Sequence, residues 1–362
     1  MRPIWTGPRQ VNGGAYRGGT ENMKQAVYLG NKVFEIRDVP MPEPGPGELL
    51  IKVSYSGICG TDVHGFMYDT VPPGTVLGHE FTGEVAEIGA GVSDWSIGDP
   101  VVAGGGTAPP GTPDAINDNP RFNFRTMGWT AMTSFDGAYA EYTVMEAWKP
   151  LRRPDGVSAM AGAMAEPLTT AIDAVRPSGI KLGDTVGVLG GGPIGLFCMQ
   201  AAKAAGASKV IMSEPAPARA AAARALGADA VIDPTAQDVE TEMVALTGGL
   251  GPDVIFECAG AKGTLQQALS TVRKGGRVAL VALSWEPNMV LPVDWITRDI
   301  DLVTSLQHYS RHWEIALELL ASGAVRTEPM VPEGGIIPLS DIQSAFDGLQ
   351  HPTDEIKVLI TP

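Results

Sequence analysis

Up to about residue 165 the chain alternates short apolar runs with glycine and proline. Leu49-Leu50-Ile51-Lys52-Val53 and Gly83-Glu84-Val85-Ala86-Glu87-Ile88 are of this kind. Short apolar runs bounded by turn residues predict β-strands. Pro40, Pro42, Pro44 and Pro46 mark a loop, because proline cannot donate to a sheet ladder. A β-rich, partly barrel-like domain is therefore expected over residues 23–169.

After residue 170 the rhythm changes. The apolar run Thr185-Val186-Gly187-Val188-Leu189 ends in glycines, and a helical segment follows to Ala205. Next come the strand Lys209-Val210-Ile211-Met212 and an Ala/Arg helix over 217–226. Ala230-Val231-Ile232, Asp253-Val254-Ile255-Phe256 and Arg277-Val278-Ala279-Leu280-Val281 each border a helical stretch. Alternating strand and helix predict a doubly wound parallel sheet over 170–309. The remainder, 310–362, holds a helix from Ile315 to Ala321 and the strand pattern Ile356-Lys357-Val358-Leu359-Ile360. It is expected to return to the first domain. Residues 1–22, rich in Gly and polar groups, read as a flexible extension without a signal-peptide core, and Met1 and Met23 both stand as possible starts.

A chain of 362 residues with 44% apolar content suits two folded domains. Its formal net charge of −15 argues against nucleic acid and anionic membranes as partners, since both select clustered Lys and Arg. No apolar run is long enough to span a bilayer. The three cysteines, Cys59, Cys198 and Cys258, do not form a disulfide framework, so a reducing cytoplasm is expected.

Gly190-Gly191-Gly192-Pro193-Ile194-Gly195 fits G-x-G-x-x-G. The pattern alone is weak, but here it follows an apolar strand and opens a helix, the setting of a dinucleotide site. The glycines allow close approach of a pyrophosphate, and the helix start at Pro193 and Ile194 offers free N–H groups and a positive dipole end. Glu214 ends the second strand, at about the 20-residue distance expected of a ribose-binding carboxylate. A carboxylate there binds both hydroxyls and repels a 2′-phosphate, which favours NAD over NADP. The plainer reading is a turn cap before Pro215. Arg219 is the nearby cation able to accommodate a phosphate.

Cys59 opens Cys59-Gly60-Thr61-Asp62-Val63-His64, His79 and Glu80 sit in Gly78-His79-Glu80, and Glu166 sits in Ala165-Glu166-Pro167. A thiolate, an imidazole and carboxylates suit zinc with a position left open. Cys59, His79 and Glu166 are candidate ligands. Glu80 is left with three roles: direct ligand, ligand after rearrangement, or holder of a water. Asp62 suits the outer position that fixes the tautomer of His79. Taken singly, a cysteine is more often a small buried hydrophobe, and a histidine a hydrogen-bonded core residue. A Lewis-acid site and a nicotinamide site on one chain point to metal-assisted hydride transfer.

These motifs, with Asp136-Gly137-Ala138-Tyr139-Ala140-Glu141-Tyr142, resemble those of the zinc-containing medium-chain alcohol and polyol dehydrogenases from residue 23 onward. Glu166, where simple alcohol dehydrogenases carry a second cysteine, resembles the sorbitol, butanediol and threonine dehydrogenase branch. The resemblance implies a GroES-like catalytic domain, a Rossmann cofactor domain and a homodimer or homotetramer joined near Leu302 to Leu306. It implies oxidation of a secondary alcohol, a polyol or vicinal diol. Thr61 would take the hydroxyl proton and pass it by way of the cofactor ribose to His64 and solvent; an imidazole titrating near neutrality suits that task. A turn hydroxyl and a surface imidazole are the plainer roles of these two.

Two departures stand out. Many relatives hold a structural zinc in a lobe of four close cysteines, but residues 101–135 contain none, so one catalytic zinc and no structural zinc is expected. Phe122, Phe124 and Trp129 are the candidates for packing that lobe. In Gln307-His308-Tyr309, His308 stands where polyol dehydrogenases usually carry arginine. The alternatives are a dehydrogenase of threonine or of a sugar-alcohol phosphate, for which Arg121 and Arg125 would supply charge. From another class comes a catalytically silent nucleotide-binding protein. Cys198 is expected to pack a helix, and Cys258 to lie near the cofactor without chemistry.

Overall fold

The computed structural model describes residues 21–103, 137–284, 286–306, 310–350 and 355–362. The expectations for residues 1–20, for the aromatic and basic residues of the lobe and for His308 lie outside the described residues. The first strand, β1 (Asn22–Tyr28), begins within the expected extension, because Asn22 already pairs with Pro40.

β1 pairs antiparallel with β2 (Phe34–Pro40) and, on its other edge, with β4 (Thr75–Val76). A larger sheet is organised around β3 (Glu48–Gly57), whose residues Leu49, Leu50 and Ile51 are buried. β3 is flanked by β5 (Glu80–Ile88), β7 (Tyr142–Glu146) and the C-terminal β16 (Leu359–Thr361). β6 (Pro100–Val102), β8 (Leu151–Arg152) and β15 (Ile336–Pro338) complete it. The last strand of the chain thus pairs with β3, and the C-terminal piece returns to the N-terminal half.

A third sheet is parallel throughout. Its six strands are β9 (Thr185–Leu189), β10 (Lys209–Ser213), β11 (Ala230–Ile232), β12 (Val254–Glu257), β13 (Arg277–Leu280) and β14 (Asp301–Thr304). Their spatial order is β11-β10-β9-β12-β13-β14. The order reverses beside β9, which opens a crevice at the carboxyl ends of β9 and β12 where a dinucleotide binds in such sheets. β9, β10 and β12 are buried almost throughout, as strands covered on both faces must be.

Helices set the sites. α1 (Gly60–Met67) is held by Phe66, whose ring lies 5.6 Å from Phe34 and 5.2 Å from Phe346. α2 is the short turn Ala159–Gly162. α3 (Ala165–Ser178) ends at Gly179 with φ 64, where a Cβ would stand 2.4 Å from the Arg277 guanidinium. α3 touches β5 of the sheet around β3, β13 and β14 of the parallel sheet, and α4 (Pro193–Ala204). It therefore bridges the two halves of the molecule. α5 (Pro217–Ala225), α6 (Val239–Leu246), α7 (Thr264–Thr271) and α8 (Pro292–Ile296) follow in the parallel half. α9 (Ser310–Ala321) and α10 (Ile342–Leu349) lie in the C-terminal piece.

Three expected boundaries move. The terminal strand starts at Leu359 rather than Ile356, because the Lys357 N–H bonds Met330 O at 3.1 Å instead of joining a ladder. α9 begins five residues before the expected Ile315. β14 stops at Thr304 because Ser305 and Leu306 turn to the buried Asp173 carboxylate, at 2.7 and 3.2 Å.

Candidate active site

Cys59 is the N-cap of α1. Its sulfur accepts the Thr61 N–H at 3.4 Å, and Asp62 returns a bond to the Cys59 N–H at 3.3 Å. A thiol in that position faces the positive end of the helix. The same helix carries Thr61, Asp62 and His64, so one local segment supplies a candidate metal ligand, its support and the two relay candidates.

Gly78 precedes the candidate ligands His79 and Glu80. Its φ of 100 and the close approach of Tyr139 and Ser56 leave no room for a side chain. His79 Nδ1 lies 3.5 Å from Asp62 Oδ1. Tyr139 donates to Asp62 Oδ2 at 2.7 Å. Burial alone would raise the Asp62 carboxyl, but His79 and then Tyr139 hold it below its usual value. Burial likewise opposes the charged form of His79, yet Asp62 and Cys59 hold the imidazole well above its usual value. Burial and the Glu80 charge push the Cys59 thiol up. A metal takes up ligands that have lost their protons, so the donor set gathers negative charge for a cation.

Ligand atoms of Cys59, His79 and Glu80 all lie within 4.8 Å of one another, a spacing compatible with one small ion. Glu166 occupies the first turn of α3, close enough to Glu80 and Lys357 to act on both charges. Glu80 is the first residue of β5, and its carboxylate meets the ammonium of the buried Lys357. Lys357 also donates to Ile58 O at 2.9 Å, one residue before Cys59. Burial would lower the Lys357 ammonium, but Glu80 and Cys59 hold it up. Lys357 was not anticipated. The available signal was a lysine inside Ile356–Ile360, because a buried lysine requires a partner. Tyr139 stood in a recognised motif, yet its bond to Asp62 was equally unforeseen.

Thr61 and His64 lie three residues apart on α1 and so share a face. Burial pushes the His64 imidazole down, and its ring sits 6.2 Å from Tyr68.

In the parallel half, Gly190 has φ 96, and a Cβ there would lie 2.9 Å from Ala259. Gly195 lies so close to Gly190 O that no side chain fits. A Cβ on Gly192 would meet nothing within 4 Å. The turn is thus tight on its protein side and open at Gly192, the first residue before α4, as a pyrophosphate cradle must be. Pro193 and Ile194 form the first turn of α4.

The buried Glu214 carboxylate accepts Gly191 N–H at 2.5 Å and Ala216 N–H at 2.8 Å. Each oxygen has a second lone pair for a ribose hydroxyl. Glu257 accepts Ala259 N–H at 3.1 Å and Gly260 N–H at 2.9 Å, which fixes the turn opposite Gly190; it too was unforeseen. Arg219 bonds the Glu355 carbonyl through Nε at 3.0 Å and Nη2 at 2.9 Å. A hydrogen bond with Cys198, and then burial, push the Cys258 thiol well above its usual value.

Residues 45–155 match the alcohol dehydrogenase GroES-like domain, and residues 193–322 match the zinc-binding dehydrogenase domain. Sorbitol dehydrogenase of Bacillus subtilis (strain 168) is 32% identical, covering 94% of this chain and 98% of its own. The (R,R)-butanediol dehydrogenase of the same organism is 33% identical, covering 94% and 100%. The chain belongs to the zinc-dependent medium-chain alcohol and polyol dehydrogenases. Among solved structures, this dehydrogenase superposes with a TM-score of 0.82 on an NADP-bound protein described as a zinc-binding dehydrogenase from Sinorhizobium meliloti 1021. That protein is 32% identical, over 94% of this chain and 100% of the other. Among the described residues of the dehydrogenase, no helix is long and apolar enough to cross a membrane.

Proposed function

We propose that this dehydrogenase oxidises a secondary alcohol, a polyol or vicinal diol, with one zinc ion and NAD. The observation that carries the reading is the convergence of Cys59, His79 and Glu80 within 4.8 Å, with Glu166 beside them. Zinc held there supplies Lewis acidity, and NAD supplies a hydride acceptor. Cys59 and His79 hold the ion, and Asp62 and Tyr139 fix the imidazole. Glu166 and Glu80 offer carboxylates to the ion, to a water or to the second hydroxyl of a diol. Thr61 would take the hydroxyl proton while passing on its own, and His64 would release a proton to solvent at the end of that relay. The relatives named for sorbitol and butanediol support this substrate class.

The open Gly192 cradle takes the pyrophosphate, and Glu214 takes the ribose hydroxyls. Two observations support NAD: the buried Glu214 charge, which repels a 2′-phosphate, and the engagement of Arg219 with Glu355 O. The NADP-bound relative makes the comparison of both cofactors necessary.

We divide the chain into a catalytic domain at 23–169, a cofactor domain at 170–309 and a returning segment at 310–362. The edge strand β14 exposes Leu302, and Met289, Leu291, Val293 and Ile296 are exposed nearby in sequence. Strand pairing between two copies would cover this edge, so the molecule is read as a homodimer or a tetramer of such dimers. Three free thiols suit the cytoplasm.

The test is the rate of nicotinamide reduction with NAD and NADP against polyols, vicinal diols, simple secondary alcohols and threonine. A chelator-sensitive rate with one polyol or diol and NAD is expected. Full turnover by Cys59→Ser would remove the metal-assisted mechanism.

A further inference from the structure

We propose that Arg219 is a positioning residue that clamps the cofactor half to the C-terminal segment and thereby links the dinucleotide site to Glu80. The proposal rests on the reading of the two sites given above.

The linkage is a sequence of short physical contacts. Glu214 touches the glycine turn through Gly191 N–H and the start of α5 through Ala216 N–H. Arg219 is in the first turn of α5, and two of its guanidinium N–H groups converge on one acceptor, the Glu355 carbonyl. Two residues later comes Lys357. Its N–H is fixed on Met330 O, and its ammonium spans Ile58 O and the Glu80 carboxylate. The next residue, Val358, accepts the Ile58 N–H at 3.0 Å. Ribose binding at Glu214 therefore acts on a helix whose first turn grips the segment that carries the Glu80 partner. Such a network couples two sites when both bias the same element; here the element is 355–358.

The clamp also bears on cofactor choice. A guanidinium committed to Glu355 O is not offered to a 2′-phosphate. To bind one, Arg219 would have to leave the carbonyl and release the segment. NADP would then be opposed by the Glu214 charge and by loss of the clamp together.

The test uses the full chain loaded with zinc. Hydrogen exchange is followed at residues 355–361 with and without NAD, and zinc release to a chromophoric chelator is timed. In the native protein NAD slows exchange in that segment. In Arg219→Ala, NAD still protects the glycine turn but no longer 355–361, and zinc leaves about two- to thirtyfold faster. Arg219→Lys, with one donor head in place of a fork, gives intermediate values and serves if the alanine variant fails to fold. Arg224→Ala, exposed on the same helix, matches the native protein.

Unchanged exchange and zinc release in Arg219→Ala would overturn the clamp. A selective loss of NADP affinity relative to NAD would overturn it too, by making Arg219 a phosphate ligand. A lower melting temperature with native zinc release would reduce Arg219 to a structural contact. Native protein that takes up no zinc would defeat the reading of the metal site, while the exchange arm would still decide the clamp.

Discussion

Lys357 and Glu80 meet with 2% of each side chain exposed, and they come from opposite ends of the chain. Such a pair gains from mutual attraction but must offset the removal of both charges from water. Removing one partner leaves the other charge buried. Lys357→Met is expected to lower stability by about 3–5 kcal/mol in the metal-free protein. Zinc should recover much of that loss, since a cation beside Glu80 restores a counter-charge. Melting with and without zinc checks both parts; equal losses in the two states would place Glu80 outside the metal's reach.

Tyr139 reaches the candidate ligand His79 through Asp62. Tyr139→Phe removes a buried donor at 2.7 Å from Asp62. Zinc affinity should fall by about 10- to 100-fold, as for other outer partners of a metal-bound histidine. A competition titration with a chelator measures it, and native affinity would show that Asp62 needs no help in orienting His79.

Glu214→Ala should lower kcat/KM for NAD and raise the NADP-to-NAD ratio, because the repulsive charge leaves along with the hydroxyl acceptor. The two cofactors are compared at saturating alcohol. A fall for both in proportion would mean that Glu214 only shapes the Gly191 turn.

Acid stability has a defined sign at Asp253. Burial would raise this carboxyl, but bonds from Thr185 and Arg273 outweigh it and hold it below its usual value. The folded state therefore binds the proton more weakly than the unfolded state. The stabilisation is present above the unfolded carboxyl value of about 3.9 and is lost as pH falls through the lower folded value. Asp253→Asn should cost roughly 1.5–3 kcal/mol at pH 7 and flatten the fall of stability below pH 4. Denaturant midpoints across pH give the comparison.

Leu302 lies on the edge strand β14. Leu302→Lys places a charge there, a recognised block to edge pairing, and should shift the molecule toward monomers in sedimentation. An unchanged mass would move the interface elsewhere.

What could be read from sequence was local. Cys59, Thr61, Asp62 and His64 fall on one helix, so their spacing already carried their geometry. The glycine turn and Glu214 were legible for the same reason, since one strand-helix-strand unit fixes their separation. Lys357 to Ile58 spans 299 positions, and Tyr139 to Asp62 spans 77. No periodicity encodes a contact closed by the return of the chain. Ile356–Ile360 misled because a short, mostly apolar run resembles a strand throughout, whereas all five residues are buried and Lys357 turns to Glu80. The position of Arg219 suits a phosphate, but its bond to the Glu355 carbonyl, 136 positions away, could not be read from sequence.

The bridging helix α3 sets a design rule. Glu166 at its start acts on Glu80, and Asp173, about 10 Å further along at 1.5 Å per residue, receives Ser305, the residue that follows β14. One inserted residue between them would turn the two side chains by about 100° relative to each other. The helix is therefore a ruler whose length neither half can alter alone. Chimeras that exchange cofactor halves between relatives should be joined beyond Gly179, so that both marks on the ruler come from one parent.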